Sequence, residues 1–230
     1  MTRSTPKNLK VIYEDNHLIV VNKRPGDIVQ GDKTGDLPLS EVVKHYLKDK
    51  YNKPGEAYLG VVHRLDRPTS GIVLFSKTSK ALSRLNKAFA NRETEKIYWA
   101  VVKQKPQQES GRLEHYLKRN TKQNKSYAHI NAVPESKKAI LSYQIKKSLD
   151  NYHLLEIALE TGRHHQIRSQ LSAIGCPIKG DLKYGFDRSN KDGSIHLHAK
   201  TLTIIHPVKK ESITFDANPP KDVIWDNCQN

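Results

Sequence analysis

Cysteine is almost missing from this chain. The two present in 230 residues, Cys176 and Cys228, are too few for a disulfide framework and lack the spacing of a four-ligand zinc site. Both read as free thiols in a reducing compartment. Long apolar runs are also missing: none approaches the ~20 residues needed to span a bilayer. Residues 1–10 are polar and basic without an apolar stretch, so no secretory signal is expected and a cytoplasmic, membrane-free protein is. Acidic residues are in deficit, 24 against 39 Lys and Arg, for a net charge of +15. Such a balance favours polyanionic partners, because each cation that neutralises a phosphate also releases counterions. Hydrophobic residues, 36% of the total, are spread along the whole length, which argues against wholesale disorder.

Strand-like and helix-like patterns follow one another irregularly, so an α+β fold is expected. The run from His17 to Asn22 is β-rich and ends in a Pro25-Gly26 turn. Leu39, Val42, Val43, Tyr46 and Leu47 recur at helical spacing over residues 39–48. Short strands are expected at residues 58–63 and 71–75, and a helix at 79–91 with Ser79 as its N-cap. Strands are expected at 97–102, 139–146, 152–159, 194–205 and 212–215, with a short helix at 166–174 closed by Gly175. Residues 103–136 are polar and irregular and carry Lys118, Arg119, Lys122 and Lys125. They fit a solvated loop or a basic hairpin that grips a nucleic-acid backbone. Residues 1–10 and 221–230 are expected to be tails, the second either docked through Trp225 or frayed.

The run His63-Arg64-Leu65-Asp66-Arg67-Pro68-Thr69-Ser70-Gly71 puts a carboxylate in a turn between two apolar strands, with Arg64 and Arg67 close by. Cationic neighbours can hold such a group ionised as a nucleophile or base; a turn aspartate in a structural ion pair has the same spacing. His196, His198 and His206, with His164-His165, form the rival constellation. They lack a convergent carboxylate or cysteine pattern, and strand alternation explains the spacing of His196 and His198, so no metal site is expected.

The run around Asp66 resembles the catalytic motif of the RluA-type pseudouridine synthases, His-Arg-Leu-Asp followed after two residues by Thr-Ser-Gly. Further segments are similar in the same order. Asn22-Lys23-Arg24-Pro25-Gly26 resembles an Asn-Lys-Pro-x-Gly segment, with Arg24 as an extra residue. Lys96-Ile97-Tyr98-Trp99-Ala100 resembles the Lys-x-Tyr-x-Ala strand. The stretch from Thr161 through Gly162, Arg163, His164, His165, Gln166 and Ile167 to Arg168 resembles Thr-Gly-Arg-x-His-Gln-Ile-Arg. The run from Pro177 to Asp181, Tyr184-Gly185, Leu197-His198-Ala199 and His206-Pro207 match later segments. The likeness spans residues 11–220, and its ordered matches are far more specific than one short motif.

The resemblance implies a single pseudouridine synthase catalytic domain over residues 11–220, a largely antiparallel mixed sheet with flanking helices and an RNA-binding cleft, and an insertion at 103–136. It implies Asp66 as the catalytic carboxylate and Tyr98 as the face under the flipped uracil and the group acting on its C5 proton. Arg168 is implied as the partner that keeps Asp66 anionic, and Arg64 as the side chain that takes the base's place in the stack or reorganises the loop around it. Arg67, Arg163, His165, Lys118, Arg119, Lys122 and Lys125 are candidate RNA contacts. The reaction breaks N1–C1′, turns the uracil and joins C5 to C1′. It is redox-neutral and calls for no cofactor, whether Asp66 attacks C1′ or deprotonates C2′. Many relatives carry an S4 RNA-binding domain, and about ten residues before the first strand leave no room for one. The expected partner is therefore a structured tRNA or rRNA held by the catalytic domain alone, in a monomer with no obligate protein partner. Two other classes fit parts of the sequence: a non-catalytic RNA-binding factor, and a metal-dependent hydrolase of nucleic acid.

Overall fold

The computed structural model describes residues 3–32, 34–52 and 54–229. Met1, Thr2 and Asn230, at the outer ends of the two expected tails, lie outside the described residues, as do Lys33 and Lys53. The fold is α+β, and its contacts divide the chain into two units. One comprises Met1–Glu95 and Ala199–Pro220, the other Lys96–His198 and Lys221–Asn230.

In the first unit, β1 (Val11–Glu14), β2 (Leu18–Lys23), β4 (Ser70–Ser76) and β10 (Leu197–Ile205) follow one another in the sheet. The two-residue β3 (Gly60–Val61) pairs with β4, and β11 (Ser212–Asp216) with β10. The runs Leu18-Ile19-Val20-Val21 and Ile72-Val73-Leu74-Phe75 are wholly buried, as expected of strands covered on both faces. Alternation sends Ile19, Val21, Val73 and Phe75 toward Leu39, Val42, Val43 and Leu47 of α1 (Leu39–Lys50). Leu18, Val20, Ile72 and Leu74 pack instead with Leu85 of α2 (Ser79–Ala90) and Phe215. The cap of α2 is Thr78 rather than Ser79: the Thr78 side chain accepts from the Ala81 N–H at 3.3 Å. Both residues are good caps, but Thr78 has the extended backbone that a cap requires. The strand expected over 58–63 shrinks to β3. Gly71, at φ +116, has no room for a Cβ, which would sit 2.3 Å from the Ala199 carbonyl oxygen. The amino-terminal segment packs rather than trailing, since the Ser4 N–H and hydroxyl both donate to Asp27, at 3.0 and 2.6 Å.

In the second unit, β5 (Glu95–Val102), β9 (His153–Leu159), β8 (Lys137–Ser148), β6 (Ser110–Asn120) and β7 (Lys125–His129) form an antiparallel run in that order. Ala100, Val102, Leu141 and Ile157 face Ile167 and Leu171 of α3 (Gln166–Ala173). On the opposite face Trp99, Val101 and Leu154 pack with Trp225 and Cys228 of α4 (Val223–Gln229). The carboxyl-terminal segment is therefore docked. Much of the stretch 103–136 is the ordered hairpin β6–β7, turned through Asn124 at φ 46. Its composition looks loop-like because His115 and Leu117 are buried while the alternate positions meet solvent.

Candidate functional site

Asp66 sits half-buried in the loop between β3 and β4, in a turn closed by the Thr69 N–H donating to the Asp66 carbonyl at 3.0 Å. The loop rests on Lys23, which is 1% exposed at the end of β2. Its ammonium donates to three carbonyls: Arg24 at 2.9 Å, Arg67 at 3.2 Å and Thr69 at 2.7 Å. The Gly26 N–H adds a bond to the Arg67 carbonyl at 2.8 Å. Burial pushes the Lys23 ammonium down to about 7, against the upward pull of the Asp27 and Asp66 carboxylates. Lys23 thus sets the shape of the loop that carries Asp66. The sequence placed it in a matching segment without a role; its one signal was a lysine ending an apolar strand.

The two arginines flanking Asp66 differ. Arg64 is exposed. Arg67 donates from Nη1 to Asp36 Oδ2 at 2.7 Å and from Nη2 to Thr34 Oγ1 at 2.8 Å, so its guanidinium is tied to Thr34 and Asp36. His63 Nε2 accepts from the Leu74 N–H at 3.0 Å and its ring stacks on Phe89, which fixes the start of the motif.

In the second unit Tyr98 lies on β5 opposite Ile157, half-buried against the core that includes Ile167 of α3. The turn before α3 is built by Gln166. Its Oε1 accepts from the Thr161 hydroxyl at 2.8 Å and the Arg163 N–H at 2.9 Å, while its Nε2 donates to the Ile140 carbonyl at 3.0 Å. His165 takes the left-handed conformation at φ 54. These bonds bring Arg168 to the first turn of α3, where it is 5% exposed. Arg168 makes a bidentate pair with Asp181, Nε to Oδ2 at 2.6 Å and Nη2 to Oδ1 at 2.9 Å, and its guanidinium lies 5.0 Å from the Tyr184 ring centre. A planar fork matched to a carboxylate is among the stronger side-chain pairings. Asp181 and Tyr184 are the functional neighbours that sequence reasoning missed, although both stand in segments it had matched.

The candidate RNA contacts of the second unit differ in burial and in the face they occupy. His165 is buried and its Nδ1 lies 2.9 Å from the Tyr184 hydroxyl. Arg163 donates to the Lys138 carbonyl at 3.1 Å. On the hairpin, Lys118 pairs with Tyr127, Arg119 with Ser126, and Asn120 with Lys125. Alternation then puts Lys118 and Lys125 on one face and Arg119 on the other, with Lys122 exposed at the turn. His196, His198 and His206 of the rival constellation have structural partners. His206 Nε2 lies 2.8 Å from Asp15 Oδ2 while its Nδ1 accepts from the Val208 and Lys209 N–H groups. His196 and His198 pack on Trp225. A separate cavity is lined by Lys103, Tyr152, Lys179 and Arg188. Tyr152 packs with Trp99 and Val101, so this cavity neighbours the face of β5 opposite Tyr98. No helix among the described residues is long and apolar enough to cross a membrane.

Comparison with known proteins points to one family. Residues 17–173 match the family described as RNA pseudouridylate synthase. The chain is 35% identical over 238 residues to an uncharacterized RNA pseudouridine synthase of Chlorobaculum parvum, covering 94% of this chain and 72% of that one. It is 32% identical over 226 residues to the ribosomal large subunit pseudouridine synthase D of Zymomonas mobilis, covering 94% and 70%. The fold superimposes on human RNA Pseudouridylate Synthase Domain Containing 4 with a TM-score of 0.77 at 23% identity, over 94% of this chain and 90% of the other. A family match over most of the chain, with relatives 35% and 32% identical over 94% of it, leads to one assignment: this chain belongs to the RNA pseudouridylate synthase family and is a pseudouridine synthase, an isomerase acting on RNA.

Proposed function

We propose that residues 11–220 form a catalytic domain that converts uridine to pseudouridine in a structured ribosomal or transfer RNA, with Asp66 as the catalytic carboxylate. The observation that carries this reading is the Asp66 loop itself: a half-buried carboxylate on a turn whose carbonyls are gripped by the buried Lys23 ammonium. A carboxylate on a turn held from below by a buried side chain is placed to act on the sugar of a bound nucleotide. Ribosomal RNA is the favoured substrate, because relatives in Zymomonas mobilis and Rickettsia bellii are named as ribosomal large subunit synthases.

In the reaction the N1–C1′ bond breaks, the uracil turns within the site, C5 bonds to C1′, and the C5 proton is lost as N1 gains one. Asp66 acts on the sugar, Tyr98 supplies a face for the ring and serves removal of the C5 proton, and Arg168 supports the anionic carboxylate. Arg64 fills the gap left in the RNA stack, offsetting part of the few kcal/mol that extruding a base costs. Arg67, Arg163, Lys118, Arg119, Lys122 and Lys125 supply positive charge along the bound backbone, and His165 shapes the turn into α3.

RNA tritiated at uridine C5 tests this. Wild-type protein releases label to water from ribosomal or transfer RNA, presented separately, whereas Asp66→Asn binds RNA and releases none. Release by Asp66→Asn at the wild-type rate would remove Asp66 from the chemistry; release from neither RNA would remove both substrates. Tyr98→Phe binds RNA and turns over far more slowly.

A further inference from the structure

Tyr184 stands where three parts of the second unit meet, and its side chain is 4% exposed. Its hydroxyl accepts from the Ser126 N–H of β7 at 2.8 Å and lies 2.9 Å from Nδ1 of His165, at the start of α3. Its ring faces two cations, with the Arg168 guanidinium at 5.0 Å and the Lys125 ammonium at 5.2 Å from the centroid. Its carbonyl accepts from the Ser172 hydroxyl at 2.7 Å. The neighbouring residue continues the link: Lys183 donates to the carbonyls of Gln123 and Asn124 in the hairpin turn, at 3.3 and 3.1 Å. Ser126 closes it from the other side, its hydroxyl 2.8 Å from His164 Nδ1.

Asp181 and Tyr184 belong to one tight turn, closed by the Tyr184 N–H on the Asp181 carbonyl at 3.1 Å. That turn grips Arg168 in two ways, with a bidentate carboxylate and with the face of a ring under its guanidinium. Both contacts are directional, so together they restrict the rotation of a long side chain that is otherwise costly to order. The same ring and hydroxyl fasten β7, the strand carrying Lys125. A hairpin anchored to that turn cannot shift without moving the partners of Arg168.

We infer that Tyr184 is a positioning residue that fixes the Arg168 guanidinium and couples it to the basic β6–β7 hairpin, so that RNA held on the hairpin is registered against Arg168. The catalytic meaning of that placement rests on the role proposed above for Arg168, and the test separates the two.

Tyr184→Phe keeps the ring and removes the hydroxyl bonds; Tyr184→Leu removes both. With tritium release as the assay, Tyr184→Phe is expected to raise KM about tenfold, the worth of one or two hydrogen bonds, and to lower kcat much less than Tyr184→Leu does. Tyr184→Leu should lower kcat by a further tenfold or so. In protein labelled with 15N-arginine, exchange of the Arg168 Nε–H with solvent should be faster in Tyr184→Leu than in wild type. Unchanged exchange in that variant overturns the inference, as does an equal loss of kcat when Tyr184→Leu is added to Arg168→Met. If Arg168→Met alone keeps wild-type kcat, the catalytic reading of Arg168 fails, while Nε–H exchange still decides whether Tyr184 places it. Should Tyr184→Leu not fold, as judged by circular dichroism, an unaltered KM in Tyr184→Phe overturns the link to the hairpin.

Discussion

The loop that carries Asp66 is fixed through its backbone, whereas Arg168 is fixed through its side chain. Under Asp66, one buried ammonium collects the carbonyls of Arg24, Arg67 and Thr69, which sets the path of the chain whatever side chains the loop displays. Around Arg168 the helix sets the backbone, and Asp181 with Tyr184 selects one orientation of the guanidinium. The first device concentrates its effect in one residue; the second divides it. Loss of Lys23 should therefore loosen a whole loop, and loss of one Arg168 partner should release one group while leaving the turn around it built by Gln166.

The sharpest way to break this contrast is Asp181→Ala. It removes the carboxylate from a buried guanidinium and is expected to cost about 3–5 kcal/mol in urea unfolding. A cost below about 1 kcal/mol would mean that the pair does not hold Arg168 in place. Next in size is Lys23→Met, which leaves three carbonyls without their shared donor and should cost about 2–3 kcal/mol. Hydrogen exchange in that variant should rise over residues 62–69 more than over α3; equal rises would erase the distinction between local and divided support.

The pH dependence of Lys23 sharpens the same point. Its folded value of about 7 lies below the ordinary 10.5, so between those values the unfolded chain holds more protons than the folded one. Stability from this group is lowest below pH 7 and rises as the pH climbs from about 7 toward 10.5. The stability gap between wild type and Lys23→Met should therefore widen from pH 7 to pH 10. A constant gap in urea titrations would show that Lys23 keeps an ordinary affinity for its proton. The smallest effect is expected at the hairpin turn. Lys122→Ala should weaken RNA binding by under about 1 kcal/mol, uniformly across RNA sequences, and reduce the salt slope by about one. An unchanged slope would take Lys122 away from the phosphates.

The legible parts of the fold were those whose burial is local in sequence. β2 and β4 announced themselves as continuous apolar runs because both faces are covered, and α1 as a periodic stripe. The β6–β7 hairpin stayed ambiguous because only alternate residues of β6 face the core and its cations read equally well as a loop. Ser79 was expected to cap α2, but Thr78, equally suited by residue type, takes that place because its backbone is extended. Ordered motifs singled out Asp66, Tyr98 and Arg168 as candidates, whereas the grip of Lys23 on Thr69, 46 residues away, and that of Tyr184 on Ser126, 58 residues away, have no short-range signature. His165 shows the same limit from the other side: a histidine within a motif reads as a contact, yet its partner is the buried hydroxyl of Tyr184.

The interleaving of the two units along the chain carries a consequence for biosynthesis. The unit holding Asp66 receives β11 and most of β10 only from Ala199–Pro220, after the residues up to His198 have been made. That separation of about 100 residues corresponds to roughly 5–20 s of translation. Until then β4 lacks its β10 neighbour, and the back of β5 stays bare until α4 arrives. Neither unit can complete its folding before the other has been largely synthesised, so β4 stays without its β10 neighbour for seconds of synthesis.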